Sequence, residues 1–133
     1  MLFGKEHVDR YVATDGDEGH DWQGAQVLIL TTKGRASGEQ RQAPLIYGEH
    51  DGDYVVVASK GGAPDDPAWY KNLASDPHVQ VQVLADRFDA VARDATPEER
   101  ADLWRLMTEK WPAYDDYQQK TERQIPLVVL ERA

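Results

Sequence analysis

The sequence predicts an antiparallel β-barrel decorated with short helices. Short apolar or alternating runs of strand length recur at residues 27–30, 54–58, 79–83 and 127–130. Turn signals separate such runs, among them Asp51-Gly52 and Ala85-Asp86-Arg87. The strands do not alternate regularly with long helices, which argues against a doubly wound parallel sheet.

Each element has its own reason. Residues 6–14 form a short amphipathic helix with Val8, Tyr11 and Val12 on one side. Residues 15–21 are acidic and glycine-bearing and read as a loop or lid. Strand one covers 25–32, where β-branched and apolar residues suit a strand buried on both faces. Strand two covers 42–49, and the Asp51-Gly52 turn leads into strand three at 54–58. Residues 59–67 form a loop with two glycines and two prolines. Pro67 suits a first helical position, and the helix it opens carries Trp69, Tyr70 and Leu73 before stopping ahead of Asp76-Pro77. Residues 79–83 alternate Val and Gln, so strand four has one dry and one wet face. Strand five covers 88–93. Thr96-Pro97-Glu98-Glu99 has the pattern of a capping box with proline at the first position. Leu103, Trp104, Met107 and Trp111 then recur as a core-facing stripe, and Pro112 breaks the helix. Tyr114 and Tyr117 lie on one face of a further short helix. Residues 125–131 form the last strand. No repeat or linker divides the chain, so residues 1–24 count as part of the domain whose barrel is 25–133.

Composition excludes several function classes. The 133-residue chain has a net charge of −9 and a pI near 4.8, which argues against nucleic acid as a partner. The absence of cysteine removes disulfides and thiol nucleophiles. His7, His20, His50 and His78 lack metal-ligand spacing and read as solvated, so no metal site is expected. No apolar run is long enough to span a bilayer. A cytoplasmic chain is the expectation, with peripheral membrane contact left open.

Chemistry concentrates around two loops. After strand one come Gly34 and Gly38 with Lys33, Arg35 and Arg41. Glycines let backbone N–H groups point outward, and guanidinium groups grip phosphate or carboxylate in pairs of hydrogen bonds. Spacing alone leaves a solvated hairpin turn equally open. After strand three, Ser59-Lys60-Gly61-Gly62 offers a hydroxyl, a cation and free backbone donors, but it matches neither a Walker loop nor a dinucleotide fingerprint. A structural turn is the competing reading there, and core packing is the competing reading for Trp69, Tyr70, Tyr114 and Tyr117.

Four segments in order resemble the deazaflavin-dependent nitroreductase family. They are T-T-K-G-R-A-S-G-E-Q-R-Q-A-P-L-I-Y, Y-V-V-V-A-S-K-G-G-A-P-D-D-P-A-W-Y-K-N-L, V-Q-V-Q-V, and W-P-A-Y-D-D-Y-Q-Q-K-T-E-R-Q-I-P-L-V-V-L. Each motif is weak alone, whereas their joint order is specific. The resemblance implies a split β-barrel like those that bind flavin mononucleotide, and coenzyme F420 as cofactor. This is an 8-hydroxy-5-deazaflavin with a phosphodiester and an oligoglutamate tail. By motif position, Lys33, Arg35 and Arg41 hold the phosphate and tail. Pro44, Ser59, Lys60 and Gly61 border the deazaflavin, and Ala63 and Trp69 close its pocket. Tyr114 and Tyr117, with Ser59, are the candidate catalytic residues. Lys33 and Trp111 depart from the family pattern, which often has threonine and tyrosine there. The implied reaction is hydride transfer to a quinone, nitro compound or other conjugated acceptor, by a monomer or homodimer. A barrel for flavin mononucleotide or haem, or a non-catalytic deazaflavin carrier, is the alternative.

Overall fold

The computed structural model describes residues 2–133. In chain order the elements are α1 (Gly4–Ala13), β1 (Asp21–Trp22), β2 (Ala25–Lys33), β3 (Gln40–Ile46), β4 (Gly48–His50), β5 (Asp53–Val57), α2 (Ala68–Ser75), β6 (His78–Val83), β7 (Asp86–Asp94), α3 (Pro97–Lys110), α4 (Ala113–Gln119) and β8 (Leu127–Arg132). The sheet runs β1-β2-β6-β7-β8-β5-β4, with β3 also paired to β2, and its ladders are antiparallel. Only Tyr47 separates β3 from β4. The first lies along β2 and the second along β5, so one bent stretch joins the two ends of the sheet and curls it into a split barrel. What the sequence predicts as one strand over 42–49 is therefore two. The bend turns the buried Tyr47 ring toward the barrel interior, where its hydroxyl shares a 2.8 Å hydrogen bond with His20 Nε2.

Alternation along the strands splits the apolar residues into layers. Leu28, Leu30, Val56, Val79, Val81, Val128 and Leu130 fill the barrel. Their chain neighbours Val55, Val57, Leu127 and Val129 point the other way, under Leu103 and Met107 of α3 and Tyr114 of α4. Val27 and Ile29 point out beneath Val8 and Tyr11 of α1. Strands covered on both faces read as continuous apolar runs, which is the pattern of 27–30 and 127–130.

Several expectations are corrected. The acidic segment is a loop as expected, though a tied one and not a free lid: the Gly16 amide donates to the Tyr11 carbonyl at 2.8 Å, and Arg87 pairs with Asp15 at 2.9 Å. It ends in the unexpected β1. His7 and His20 are largely buried, not solvated. Gln82, expected on the wet face of strand four, is also buried, its amide donating to the Leu84 carbonyl. Pro67 caps α2 from outside rather than opening it. Of the α3 stripe, Leu103 and Met107 are core, but Trp104 is half-buried and Trp111 ends the helix and turns into a cavity.

The start of α3 forms the expected capping box, and Arg93 of β7 adds an ion pair to Glu99. The hydrogen bond from Arg93, then that from the Thr96 amide, holds the Glu99 carboxyl down at about 2. A carboxylate whose pKa is lower folded than unfolded stabilises above its unfolded value and loses that effect as pH falls through the folded one. Glu99→Gln should therefore lower the melting temperature at pH 7, and the difference should shrink between about pH 4.3 and about pH 2. An equal difference at both ends of that range would show the charge to be irrelevant.

Candidate active site

Two hollows open beside β3 and share Ala43 and Trp69 as a common wall. The first is a groove of about 400 Å3 between the β2–β3 loop and α2, lined by Gly34, Arg35, Ser37, Arg41 and Asn72 among others. The second is a cavity of about 460 Å3 whose walls include Trp22, Pro44, Ser59, Trp111, Tyr114 and Tyr117. One is basic and the other aromatic, and they lie side by side.

The groove is built around a buried amide. Asn72 is 3% exposed. Its Nδ2 donates to Thr32 Oγ1 at 3.2 Å, which fixes the amide so that Oδ1 faces the loop. There Oδ1 accepts from the Arg35 guanidinium at 2.8 Å and from the Arg35 amide at 3.2 Å. A neutral amide orients the guanidinium without cancelling its charge, leaving its remaining donors for an anion. Arg41 also lines the groove and, among the described residues, forms its ion pair with the exposed Glu39, at 3.3 Å. Exposed pairs of this kind are worth about 0–1 kcal/mol, so a better anion displaces the glutamate.

The cavity floor comes from the loop after β5. Lys60 and Gly61 take left-handed backbone angles, φ 46° and 64°, in a 3-10 turn that brings Ser59, Lys60 and Gly61 to the cavity. Lys60 Nζ is 3.3 Å from the exposed Asp65, whose carboxyl it pulls down. Arg123 holds the loop from beneath, reaching the Ala63 carbonyl at 2.9 Å, Ala58 at 3.2 Å, Ser59 at 2.8 Å and Asp66 at 2.9 Å. Across the cavity, burial pushes the Tyr114 phenol well above its usual range. The Tyr117 hydroxyl lies 3.5 Å from Trp111 Nε1, and Trp111 stacks on Trp22 with centroids 5.7 Å apart.

Of the residues singled out from sequence, Arg35 and Arg41 meet in the groove, and Pro44, Ser59, Lys60, Gly61, Trp69, Tyr114 and Tyr117 meet in the cavity. Lys33 does not join them. Arg41 pairs with Thr32, so Lys33, one residue along, points to the opposite face and lines a separate hollow with Gly38, Asp76 and His78. Ala63 lends its carbonyl to Arg123 and is not on the cavity wall. The sequence reading passed over Asn72, Arg123, His7 and Trp22. Asn72 falls three residues after Trp69, and His7 four before Tyr11, so helical spacing carried a signal for both. No local pattern marks Arg123.

A curled antiparallel barrel with a basic groove beside an aromatic cavity has the shape and charge to suit a planar ligand with an anionic extension. The family model described as F420H(2)-dependent quinone reductase matches residues 3–132. An F420H(2)-dependent quinone reductase of Mycobacterium tuberculosis (strain ATCC 25618 / H37Rv) is 39% identical over 130 residues, covering 95% of this chain and 87% of that protein. A solved structure described as an F420-H2 dependent reductase (FDR-A) is 42% identical, with a TM-score of 0.73 over 79% of this chain and 93% of its own. Another, described as a domain-swapped dimer, is 38% identical, with a TM-score of 0.76 over 96% of each chain. The chain belongs to the F420H(2)-dependent quinone reductase family. Among the described residues no helix is long and apolar enough to cross a membrane.

Proposed function

We propose that this protein catalyses hydride transfer from reduced coenzyme F420 to a quinone-type acceptor. The observation that carries the reading is the placement of the basic groove beside the aromatic cavity, with Trp69 and Ala43 bordering both. The donor set fits the cofactor: guanidinium groups suit its phosphodiester and glutamate tail, and the loop of Ser59, Lys60 and Gly61 offers polar partners to its ring. Reduced F420 supplies a hydride when bound, and its deaza carbon favours hydride over single-electron chemistry. Arg35, already oriented by Asn72, anchors the anionic end, while Arg41 and Lys60 exchange exposed carboxylates for those of the cofactor. Pro44 and Trp69 flank the ring, and Trp22, Trp111, Tyr114 and Tyr117 shape the apolar acceptor space and exclude water.

The test is to follow recovery of the oxidised deazaflavin spectrum when a soluble naphthoquinone is added to protein and reduced F420. Catalysed recovery is expected. Tight cofactor binding without turnover would favour a carrier, and equal binding of flavin mononucleotide would favour a flavin barrel. In the same titration, Arg35→Ala and Arg41→Ala should each weaken cofactor binding by about 1.5–3 kcal/mol, less as salt rises. Arg35 should show the larger loss, since its partner holds it in place. Unchanged affinity in the double variant would remove the anion clamp.

A further inference from the structure

We propose that His7 is the proton donor to the acceptor oxygen, a role that rests on the reductase reading above. The ring is 3% exposed and borders the cavity beside Trp22, 6.1 Å away between centroids. Its Nε2 lies 2.8 Å from the Gly19 carbonyl oxygen. A carbonyl only accepts, so Nε2 carries a hydrogen, and in the neutral ring Nδ1 is the nitrogen with the lone pair. Nδ1 has no hydrogen-bond partner among the described residues, and no sealed side-chain nitrogen or oxygen there lacks one. Nδ1 therefore keeps some accessible surface, and the hollow this residue lines is the cavity.

The chemistry needs such a group. Hydride addition to a quinone puts two electrons and one hydrogen on the acceptor and leaves an oxyanion. A proton must reach that oxygen. Tyr114 can donate a hydrogen bond, but burial holds its phenol above the usual range, so it gives up a proton less readily than an imidazolium does. An imidazolium at His7 loses the Nδ1 proton to the oxyanion, an N–H bond breaking as the O–H bond forms. It returns to the neutral ring that Gly19 already holds in the right tautomer, and water entering the cavity after the product leaves restores the proton.

The ionisable groups facing this ring are few. Tyr114, Tyr117 and Lys60 stand across the cavity, with Lys60 tied to Asp65. The loop carrying Gly19 brings Glu18, tied to Arg10, and His20, tied to Asp21. On α1 itself Glu6 is exposed, Lys5 is paired with Asp9, and the buried Tyr11 hydroxyl accepts from the Leu84 amide, while the β3 residues on the cavity, Ala43, Pro44, Leu45 and Ile46, carry no ionisable group.

His7→Gln tests the assignment, because the glutamine amide can still donate to the Gly19 carbonyl while the second ring nitrogen is lost. With the naphthoquinone in excess, the ratio of parental to variant rate should be about tenfold to a hundredfold at low pH. It should fall toward one as pH rises, because only the protonated ring carries a transferable Nδ1–H. Taking the ratio cancels any titration of the cofactor itself. Tyr114→Phe should lose rate by a factor independent of pH over the same series. In cofactor-free protein, the 15N resonances of the His7 ring should show the Nε2–H tautomer, and Nδ1 should shift when a hydroxynaphthalene quinol analogue is added. A flat rate ratio near one, or an Nδ1 resonance indifferent to the analogue, would overturn the assignment while parental turnover left the reductase reading intact. Absence of turnover in the parent would instead count against that reading.

Discussion

Replacing Arg123 with alanine should unfold the floor of the cavity. Its side chain is 15% exposed and satisfies three carbonyls and the Asp66 carboxylate at once. Those acceptors belong to the loop between β5 and α2. Removing one partner of a largely buried, hydrogen-bonded pair costs about 3–5 kcal/mol, because the other charge and the carbonyls stay behind without a donor. For a chain of this length that corresponds to a melting temperature lower by roughly 10–15 °C. Arg123→Lys should recover little, since one ammonium cannot match a planar fork on four acceptors. Deazaflavin affinity should fall together with stability, because Ser59, Lys60 and Gly61 ride on the same loop. Thermal unfolding and fluorescence titration read the two effects. A melting point within about 2 °C of the parent would show that water replaces the guanidinium.

Gly62→Ala should be nearly as damaging, for a steric reason. The residue has φ +85°, and a Cβ there would sit 2.6 Å from the Tyr117 carbonyl oxygen and 3.0 Å from its Cα. Both are backbone atoms, so α4 or the loop must move. Left-handed angles cost a non-glycine residue about 1–2 kcal/mol, and overpacking adds about 1–3 kcal/mol. The shift also separates Tyr114 and Tyr117 from Ser59, so acceptor turnover should drop more than stability alone explains. Gly61→Ala is the internal control. Gly61 has φ +64°, but nothing lies within 4 Å of its added methyl, which would project into open space. That variant should stay within about 1–2 kcal/mol of the parent, with its main effect on cofactor binding at the cavity wall. Equal melting points for both alanine variants would contradict the close approach of loop and helix.

What the amino-acid sequence by itself determined is local. Thr96, Pro97 and Glu99 cap α3 through neighbours three residues apart, and Asp51-Gly52 turns the β4–β5 hairpin with φ 52° and 84°. Both signals act within a few bonds, so they are readable before anything folds. The apolar runs likewise marked β2, β5, β6 and β8, and the joint order of the four motifs marked the family. The tertiary structure decided the rest. Tyr47 breaks a continuous β pattern because the barrel must close there, a demand made by β2 and β5 together. Lys33 and Arg41 are equally basic, but strand register sends them to opposite faces. Asn72 reaches Arg35 across 37 positions and Arg123 reaches Ala58 across 65, so neither partnership leaves a trace in local spacing. His7 reads as one more surface histidine until α1 lies against β2 and the Gly19 carbonyl comes within 2.8 Å of its ring. Local signals shape the backbone, whereas the site is made of long-range hydrogen bonds whose partners meet only after the barrel has closed.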